Sequence, residues 1–274
     1  MITAPDFISR LEAKVAEQLK AQRVGYLLGA GSSYLDNAGY PLALELWDLI
    51  KDRITDTQKR SDIQAKLDDG ARGIEHALDL LDDGGALDTP YRHLVTAAVA
   101  ELFLPKSPAL DLHVEFVLRL SQRADPCVKV FTLNYDPLIE RAAERARVRL
   151  VDGFIGHEHA YFNSAVFSET FLQSRGPRAK PTLHPAGLPI HLYKLHGSLN
   201  WLRCPSCEHI YFNPWGEIAH QAFIRTARAE NTCRCGDDAR LEIHIVATST
   251  YRTVRDSNLL EVWKNALQLL IDAE

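Results

Sequence analysis

The sequence predicts an α/β fold in which helices cover a mostly parallel β-sheet. Short apolar runs alternate with stretches of helical periodicity, and polar motifs directly follow three of those runs. Two close pairs of cysteines late in the chain add a small metal-binding lobe to this prediction. With 274 residues, 46% of them apolar, the chain is long enough to bury a large core, and we interpret residues 1–274 as one domain.

The charge balance argues against polyanionic partners. The formal net charge is -5, so no overall positive field attracts nucleic acid or an anionic membrane. Arginines between positions 141 and 149 alternate with Glu140 and Glu144, which indicates a solvated helix face. No apolar run approaches the roughly 20 residues that span a bilayer, and residues 1–23 have the pattern of an amphipathic helix without a signal-peptide core. We expect a soluble, cytoplasmic protein that binds neither nucleic acid nor membrane.

The first predicted strand ends in a glycine-rich turn. The apolar residues 24–28 are followed by Gly29-Ala30-Gly31-Ser32-Ser33. The two glycines allow positive φ and close backbone approach, so a pyrophosphate could bind the loop amides and the next helix N-terminus. The serines can add hydroxyl bonds or cap that helix. A tight strand-to-helix turn also needs glycine without any ligand, so both interpretations stay open.

The sequence after this turn limits the class of ligand. No Gly-Lys-Ser/Thr follows the loop. The lysine and the magnesium-binding hydroxyl that a nucleoside triphosphatase needs are therefore missing. We interpret the expected ligand as a dinucleotide.

Residues 42–125 have helical periodicity almost throughout. Pro41 suits the first position of a helix over 42–54, because proline fits the first helical turn. Further helices are predicted near residues 58–69, 72–82, 90–103 and 108–123. We interpret 42–125 as a helical insertion between the first two strands.

The second predicted strand, residues 128–133, delivers an amide and a carboxylate. The motif reads Thr132-Leu133-Asn134-Tyr135-Asp136. Just past a strand, Asn134 and Asp136 could hydrogen-bond a ribose, a carboxamide or an attacking water. Asp136 followed by Pro137 equally fits the N-terminus of a helix over 137–147. Capping does not account for Asn134.

A histidine follows a later strand. Strands are predicted at 148–151, 190–195 and 241–247, a loop or weak hairpin at 153–189, and a helix at 257–273. His196 precedes Gly197-Ser198, which has the composition of a flexible turn, and imidazole is the natural base near neutral pH. A single histidine is more often structural. Because the carboxyl ends of parallel strands meet at one edge, we expect His196 to join the other two motifs in one site.

Four of the five cysteines form two close pairs: Cys204 and Cys207, then Cys233 and Cys235. Four thiolates make a closed tetrahedral zinc site, which would fold a lobe over residues 201–240 rather than activate water. The second pair has one intervening residue instead of two, and a redox or fortuitous cluster is the alternative. Cys127 is expected to be a buried structural thiol, and His157-Glu158-His159 a polar loop rather than a metal site.

Taken in chain order, these motifs resemble those of a sirtuin from about residue 24 to the end. The resemblance implies a Rossmann-like NAD site with a small zinc lobe. It implies that the Gly29 loop holds the NAD phosphates, that Asn134 and Asp136 lie near the nicotinamide ribose, and that His196 is the general base. Thr132 belongs with them to the expected cofactor-binding residues.

Departures from the protein-deacylating sirtuins shift the expected activity. Those enzymes usually carry Gly-Ile-Pro-Asp-Phe-Arg after the glycine loop, whereas this chain has Gly39-Tyr40-Pro41-Leu42-Ala43-Leu44. Tyr135 stands where they have a smaller aliphatic residue, and their Gly-Thr-Ser-Leu loop is absent, with residues 247–252 in its vicinity. Residues 134–136 and 195–201 are similar to the divergent prokaryotic sirtuin-like branch. Many of its members hydrolyse NAD in antiphage defence, often fused or bound to a sensor protein.

The resemblance therefore implies an NAD glycohydrolase that produces nicotinamide and ADP-ribose. NAD-dependent protein deacylation is one alternative, and a subunit that binds NAD or ADP-ribose without turnover is the other. The sequence ends at Asp272-Ala273-Glu274, where relatives enter another core strand. We expect a chain truncated at its C-terminus or completed by a partner, either a homo-oligomer or a sensor protein.

Overall fold

The structure is a computed structural model that describes most of the chain. The described residues are 4–18, 20, 24–35, 39–82, 90–123, 128–155, 161–162, 189–212, 233, 235, 241–245 and 257–271. The predictions for Cys127, for residues 157–159 and for residues 247–252 lie outside this part.

The described helices follow the predicted periodicity closely. They are α1 Ala4–Gln18, α2 Gly31–Tyr34, α3 Leu46–Ile50 with a 3-10 turn Lys51–Arg53, α4 Thr57–Asp68, α5 Ile74–Leu81, α6 Pro90–Phe103, α7 Asp111–Ser121, α8 Leu138–Ala146 and α9 Ser257–Ile271. The described strands are β1 Gly25–Leu28, β2 Val128–Thr132, β3 Leu150–Val151, β4 Phe154–Ile155, β5 Tyr161–Phe162, β6 Ile190–Lys194, β7 Gly197–Arg203, β8 Ile210–Phe212 and β9 Glu242–Ile245.

Four strands form a parallel sheet in the order β1-β2-β6-β3. The register aligns the strand ends, since Leu28 lies opposite Thr132 and Thr132 lies opposite Lys194. The residues that follow β1, β2 and β6 therefore emerge at the same edge. This part of the predicted α/β fold is confirmed.

Side-chain alternation along these strands gives the sheet two apolar faces. Val128 and Val130 of β2 belong to a core cluster with residues of α7 and α8. Phe131 belongs to a second cluster, which includes Leu259 and Val262 of α9. Because successive strand residues point to opposite faces, helices cover the sheet on both sides.

A second sheet was not predicted. Its five strands, in the order β4-β5-β8-β7-β9, pair antiparallel throughout. The expected flexible turn at Gly197-Ser198 is wrong, because Gly197 begins β7. Every residue of β7 is buried, including the polar Ser198 and Asn200 that alternate with Leu199 and Trp201. A loop or weak hairpin was expected over residues 153–189, and the described residues of this range include the antiparallel pair β4 and β5; residues 163–188 lie outside the described part.

All elements described between residues 42 and 125 are helical. The helix predicted to begin after Pro41 is wrong in its start, because residues 43–45 form a turn and α3 begins at Leu46. The interior of this helical segment includes Ile50, Ile63 and Leu78, which share one core cluster with Leu199 of β7. The helices therefore pack against the antiparallel sheet.

Within the described ranges, the helices are too short or too polar to cross a lipid bilayer.

Candidate functional site

The glycine loop makes one tight helical turn. The Ser32 amide donates to the Gly29 carbonyl over 2.9 Å, and the Ser33 amide donates to the Ala30 carbonyl over 3.0 Å. Neither Gly29 nor Gly31 has a positive φ, so the first of the two predicted reasons for these glycines is wrong. Helix α2 has four residues and ends at Leu35 in a left-handed conformation, so its dipole is small. An anion would have to bind the loop amides themselves.

Open space surrounds both glycines. A Cβ atom built on Gly29 or Gly31 would have no neighbouring atom within 4 Å. Gly29 also lines a cavity of about 820 Å³. The chain itself therefore does not require glycine at position 29, whereas a ligand that approaches the backbone closely would.

We expect Gly29→Ala to leave thermal stability within a few degrees of wild type and to weaken binding of NAD, the ligand that the resemblance implies. The comparison variant Gly39→Ala should instead lower thermal stability, because a Cβ there would lie 2.1 Å from the Ser33 carbonyl oxygen. Overpacking of this kind costs about 1–3 kcal/mol. Thermal melts and calorimetric NAD titration of both variants check this, and equal affinity in wild type and Gly29→Ala would contradict a ligand at the loop.

One hydrogen-bond network joins the glycine loop to the turn after β2. The Asn134 side-chain amide donates to the Gly29 carbonyl over 2.9 Å, to Ser32 Oγ over 3.0 Å and to Ser33 Oγ over 2.9 Å. Ser33 Oγ in turn donates to Asp136 Oδ2 over 2.8 Å. The structure therefore brings the first two predicted motifs together, with Asn134 as their link.

Asp136 is held on both sides by the protein. Its Oδ1 accepts a hydrogen bond from the Leu138 amide over 3.1 Å, while Oδ2 accepts the one from Ser33. The side chain is buried, with 6% of its surface exposed. The predicted N-cap is wrong by one position, because α8 begins at Leu138 and its N-cap is Pro137. Asp136 nevertheless accepts the amide of the first helical residue.

Three of the expected cofactor-binding residues lie outside the lining of the cavity: Gly31, Ser32 and Thr132. Thr132 is buried, and its hydroxyl oxygen accepts a hydrogen bond from the backbone amide of Asn134 over 3.0 Å. Thr132 therefore supports the turn after β2 through this hydrogen bond. The residues of these motifs that do line the cavity are Gly29, Ala30, Ser33, Asn134 and Asp136.

His196 reaches the same cavity from the end of β6. Its neighbours fix its backbone, because the Leu195 amide donates to the Thr132 carbonyl and Trp263 Nε1 donates to the Leu195 carbonyl, each over 2.9 Å. On the other side, Gly197 has a φ of +74°, and a Cβ there would lie 2.2 Å from the His244 carbonyl oxygen. The imidazole is buried, with 7% of its surface exposed. The three predicted motifs therefore form one site.

Burial lowers the pKa of His196 to about 4, against a weaker opposing effect of the Glu75 carboxylate. The imidazole is consequently neutral at physiological pH. A neutral imidazole can accept a proton from water or a hydroxyl group.

This pKa predicts a pH-dependent stability. Between pH 6.5 and 4 the unfolded chain binds a proton at His196 that the folded chain does not, so the free energy of unfolding falls as the pH falls. From pH 7 to 5 the loss is about 2 kcal/mol. Asp152 acts in the opposite direction, because burial raises its pKa to about 6. We therefore expect wild type to lose about 2 kcal/mol more than His196→Gln over this range, as measured by urea unfolding at both pH values. Parallel losses in the two proteins would contradict a neutral buried imidazole.

The helical segment supplies cavity residues that the sequence analysis missed: Arg72, Glu75, His76 and Asp79, at the start of α5 and along it. Tyr135, between the two predicted polar residues of its turn, donates from its hydroxyl to Glu75 Oε1 over 2.8 Å. A glutamate in the first turn of a helix is common, so its sequence context gave no signal. The contact spans 60 residues of chain.

A buried lysine supports the turn from the sheet. Lys194 Nζ donates to the Asp136 carbonyl over 2.6 Å and to Glu140 Oε1 over 3.0 Å. Lys194 is 2% exposed in a strand that is buried at every position. A single lysine at the end of an apolar strand was the available signal for this contact.

The four cysteines of the two pairs lie together, with their Sγ atoms all within 4.8 Å of one another. The Sγ atoms of Cys204 and Cys235 are 3.9 Å apart, and those of Cys207 and Cys233 are 3.4 Å apart. Four sulfurs at about 2.3 Å from one zinc ion would be about 3.8 Å apart. The cluster could therefore hold a metal ion such as zinc, and the unequal spacing of the pairs does not prevent it.

Local structure presents these thiols at the end of β7. Cys204 follows the strand directly, and its amide donates to the His209 carbonyl over 2.9 Å, which closes a tight turn around Cys207. Burial raises the pKa of Cys233, but hydrogen bonds from Tyr211 and from its cysteine neighbours outweigh burial and lower it to about 6. Its partner Cys207 changes in the opposite direction: the His209 backbone bond lowers its pKa, but burial and hydrogen bonds to the other thiols outweigh that bond and raise the pKa to about 12. The shared hydrogen bonds therefore favour ionisation at Cys233 over Cys207.

No protein-family model matches this sequence, and no curated protein matches it significantly. Function must therefore be inferred from the cavity and the cysteine cluster.

Proposed function

We propose that this protein is a sirtuin-like enzyme that hydrolyses NAD to nicotinamide and ADP-ribose. The observation that carries the proposal is one cavity that the glycine loop, Asn134 and His196 share, at the carboxyl ends of three adjacent parallel strands. Ligands of open α/β sheets bind at this edge. Its volume of about 820 Å³ lies within the usual range of cofactor sites.

The residues present fit a dinucleotide in a Rossmann-like site. Gly29 and Ala30 offer backbone that a phosphate can approach, with Ser33 beside them. The side-chain nitrogen of Asn134 donates to the glycine loop, which leaves its side-chain oxygen as an acceptor. No described residue donates to that oxygen. A ribose hydroxyl or a water molecule is the matching donor.

In the proposed reaction, the bond between the ribose anomeric carbon and the nicotinamide nitrogen breaks, and its electron pair neutralises the pyridinium ring. Water adds to the anomeric carbon and loses a proton to the neutral His196 imidazole. Asn134 orients the water or the ribose. Asp136 contributes through structure, since it fixes Ser33 and the start of α8.

The cysteine cluster is assigned in this proposal to structural zinc. Four protein thiolates leave no open coordination position, so the metal would stabilise the end of the antiparallel sheet and take no part in the chemistry. The resemblance to the prokaryotic sirtuin-like branch supports a role in antiphage defence, under the control of a sensor or partner protein.

Incubation of the purified chain with NAD, followed by measurement of nicotinamide and ADP-ribose, tests the proposal. We expect release of both products without any peptide. Release that depends on an acetylated peptide, with formation of acetylated ADP-ribose, would identify a deacylase instead. Calorimetric binding of NAD without product would identify a binding subunit, and absence of both binding and product would contradict the NAD site.

A further inference from the structure

Glu75 is a carboxylate on the cavity that the reaction described above leaves without a role. It lies in the first turn of α5, within the helical segment, and lines the same cavity as His196 and Asn134. Its Oε1 accepts a hydrogen bond from the hydroxyl of Tyr135 over 2.8 Å. Tyr135 separates Asn134 from Asp136, so this bond fixes Glu75 relative to the turn that carries the predicted catalytic amide.

The other carboxylate at the turn is committed to structure. Both oxygens of Asp136 accept hydrogen bonds from the protein, one from Ser33 and one from the Leu138 amide. Asp79, the third carboxylate that lines the cavity, forms an ion pair with the buried Arg92. Glu75, the remaining carboxylate that lines the cavity, is joined to the turn after β2 through the Tyr135 hydroxyl.

The charge of Glu75 reaches the groups around it. It acts to raise the pKa of His196, against the larger effect of burial. Burial first, and then the charge of Glu75, raise the pKa of Tyr135 well above its ordinary value. Tyr135 therefore keeps its proton and donates it to the hydrogen bond with Glu75.

Cleavage of a glycosidic bond needs a negative charge beside the sugar. As the leaving group departs, positive charge develops on the anomeric carbon and the ring oxygen, and enzymes that break such bonds place carboxylates next to this centre. A charge that the protein holds in position stabilises the transition state more than a freely solvated charge does. Asn134 and His196 are neutral, so neither supplies this charge.

Resting on the proposed function, we propose that Glu75 is a catalytic residue for NAD cleavage, whose carboxylate lies against the nicotinamide ribose and stabilises the ribosyl cation. The bond to nicotinamide breaks with its electron pair on the nicotinamide nitrogen. Water then forms the new bond to the anomeric carbon, and its proton leaves to His196. Glu75 itself is unchanged, so the step consumes NAD and water and yields nicotinamide, ADP-ribose and a proton.

The decisive variant is Glu75→Gln, measured by nicotinamide release. Glutamine keeps an oxygen that can accept the hydrogen bond from Tyr135 and removes only the charge. We expect kcat to fall by about 10²-fold, with KM for NAD and the melting temperature near those of wild type. The control variant is Glu115→Gln, because Glu115 lies on α7, outside the cavity lining, in an exposed ion pair with Arg119. Its kcat should equal that of wild type.

Tyr135→Phe separates catalysis from support. It removes the hydrogen bond but keeps the charge, so it should lower kcat much less than Glu75→Gln. Equal losses in the two variants would mean that Glu75 serves only to hold Tyr135, and would overturn the inference. Full activity of Glu75→Gln, with His196→Ala inactive, would overturn the inference and leave the proposed function intact. If the wild-type chain releases no nicotinamide, both the proposed function and the role of Glu75 are refuted. The wild-type assay therefore precedes the variants.

Discussion

Replacement of His196 with alanine should lower kcat for nicotinamide release by about 10²- to 10⁴-fold, the usual contribution of a general base. The imidazole is neutral at physiological pH because burial lowers its pKa to about 4. It is thus ready to accept the proton of the attacking water. Its contacts to Tyr135 and Trp263 are ring contacts, with centroids 6.4 and 6.3 Å apart, so its removal breaks no hydrogen bond of the network around Asn134. NAD binding should therefore persist.

Asn134→Ala gives a contrasting result. The Asn134 amide donates to three acceptors of the glycine loop, so its loss should move that loop as well as remove an orienting group. We expect a fall in kcat together with a rise in KM and a lower melting temperature. Enzyme kinetics, NAD titration and thermal melts of His196→Ala and Asn134→Ala separate these effects.

His196→Asn is the second variant at this position, because it keeps a polar side chain of similar reach and removes the basic nitrogen. It should be as inactive as His196→Ala. If both variants retained wild-type kcat, the cavity would not be the place where NAD is cleaved.

The parallel sheet was predictable because its strands are short apolar runs with clear ends. β1, β2 and β6 were each predicted to within one or two residues of their observed bounds. Once the strands are parallel and in register, the motifs that follow them must meet at one edge. The convergence of Gly29, Asn134 and His196 therefore depends on information that lies within about ten residues of each motif.

The antiparallel sheet was not predictable by the same reasoning. β7 carries polar residues at alternate positions, Ser198 and Asn200, but these are buried as well, so the pattern does not mark an exposed face. Its first residue is a glycine with positive φ, which in a sequence has the appearance of a turn. Its pairing with β9 joins segments about 40 residues apart, and no local pattern encodes such a pairing.

Long-range polar contacts of the site escaped prediction for a related reason. Glu75 and Lys194 carry no motif, and each reaches the turn after β2 across more than 50 residues of chain. The role of Asn134 was only partly anticipated. The sequence predicted its place at the strand end, but its hydrogen bonds to the glycine loop depend on how the two turns pack against each other.

The second large effect concerns metal removal. A purified chain should contain one zinc ion, and verified removal by a chelator should lower the melting temperature by about 10 °C or more, because structural zinc contributes several kcal/mol to folding. Among the described residues, the apolar core around the cluster is small, with Leu202 and Leu241 buried beside Cys204 and Cys233. So small a core supplies little stability without the metal.

The variants Cys204→Ser and Cys233→Ser should abolish stoichiometric zinc in elemental analysis, since both sulfurs belong to the cluster. Cys127→Ser is the matched control, because Cys127 belongs to neither pair, and it should retain one zinc per chain. An unchanged melting temperature after verified zinc loss would contradict a structural metal.

Metal loss should affect stability more than chemistry, and the geometry of β7 gives the reason. The strand begins directly after His196 and ends directly before Cys204, so seven residues separate the imidazole from the first metal ligand. At about 3.3 Å per residue, the cluster lies roughly 20 Å or more along the strand from the site. Gly197 packs against the His244 backbone at the near end of β7, and that contact does not involve the cysteines. We therefore expect zinc-free protein, assayed well below its melting temperature, to keep a kcat within a few-fold of the zinc-bound form, while His196→Ala with full zinc does not.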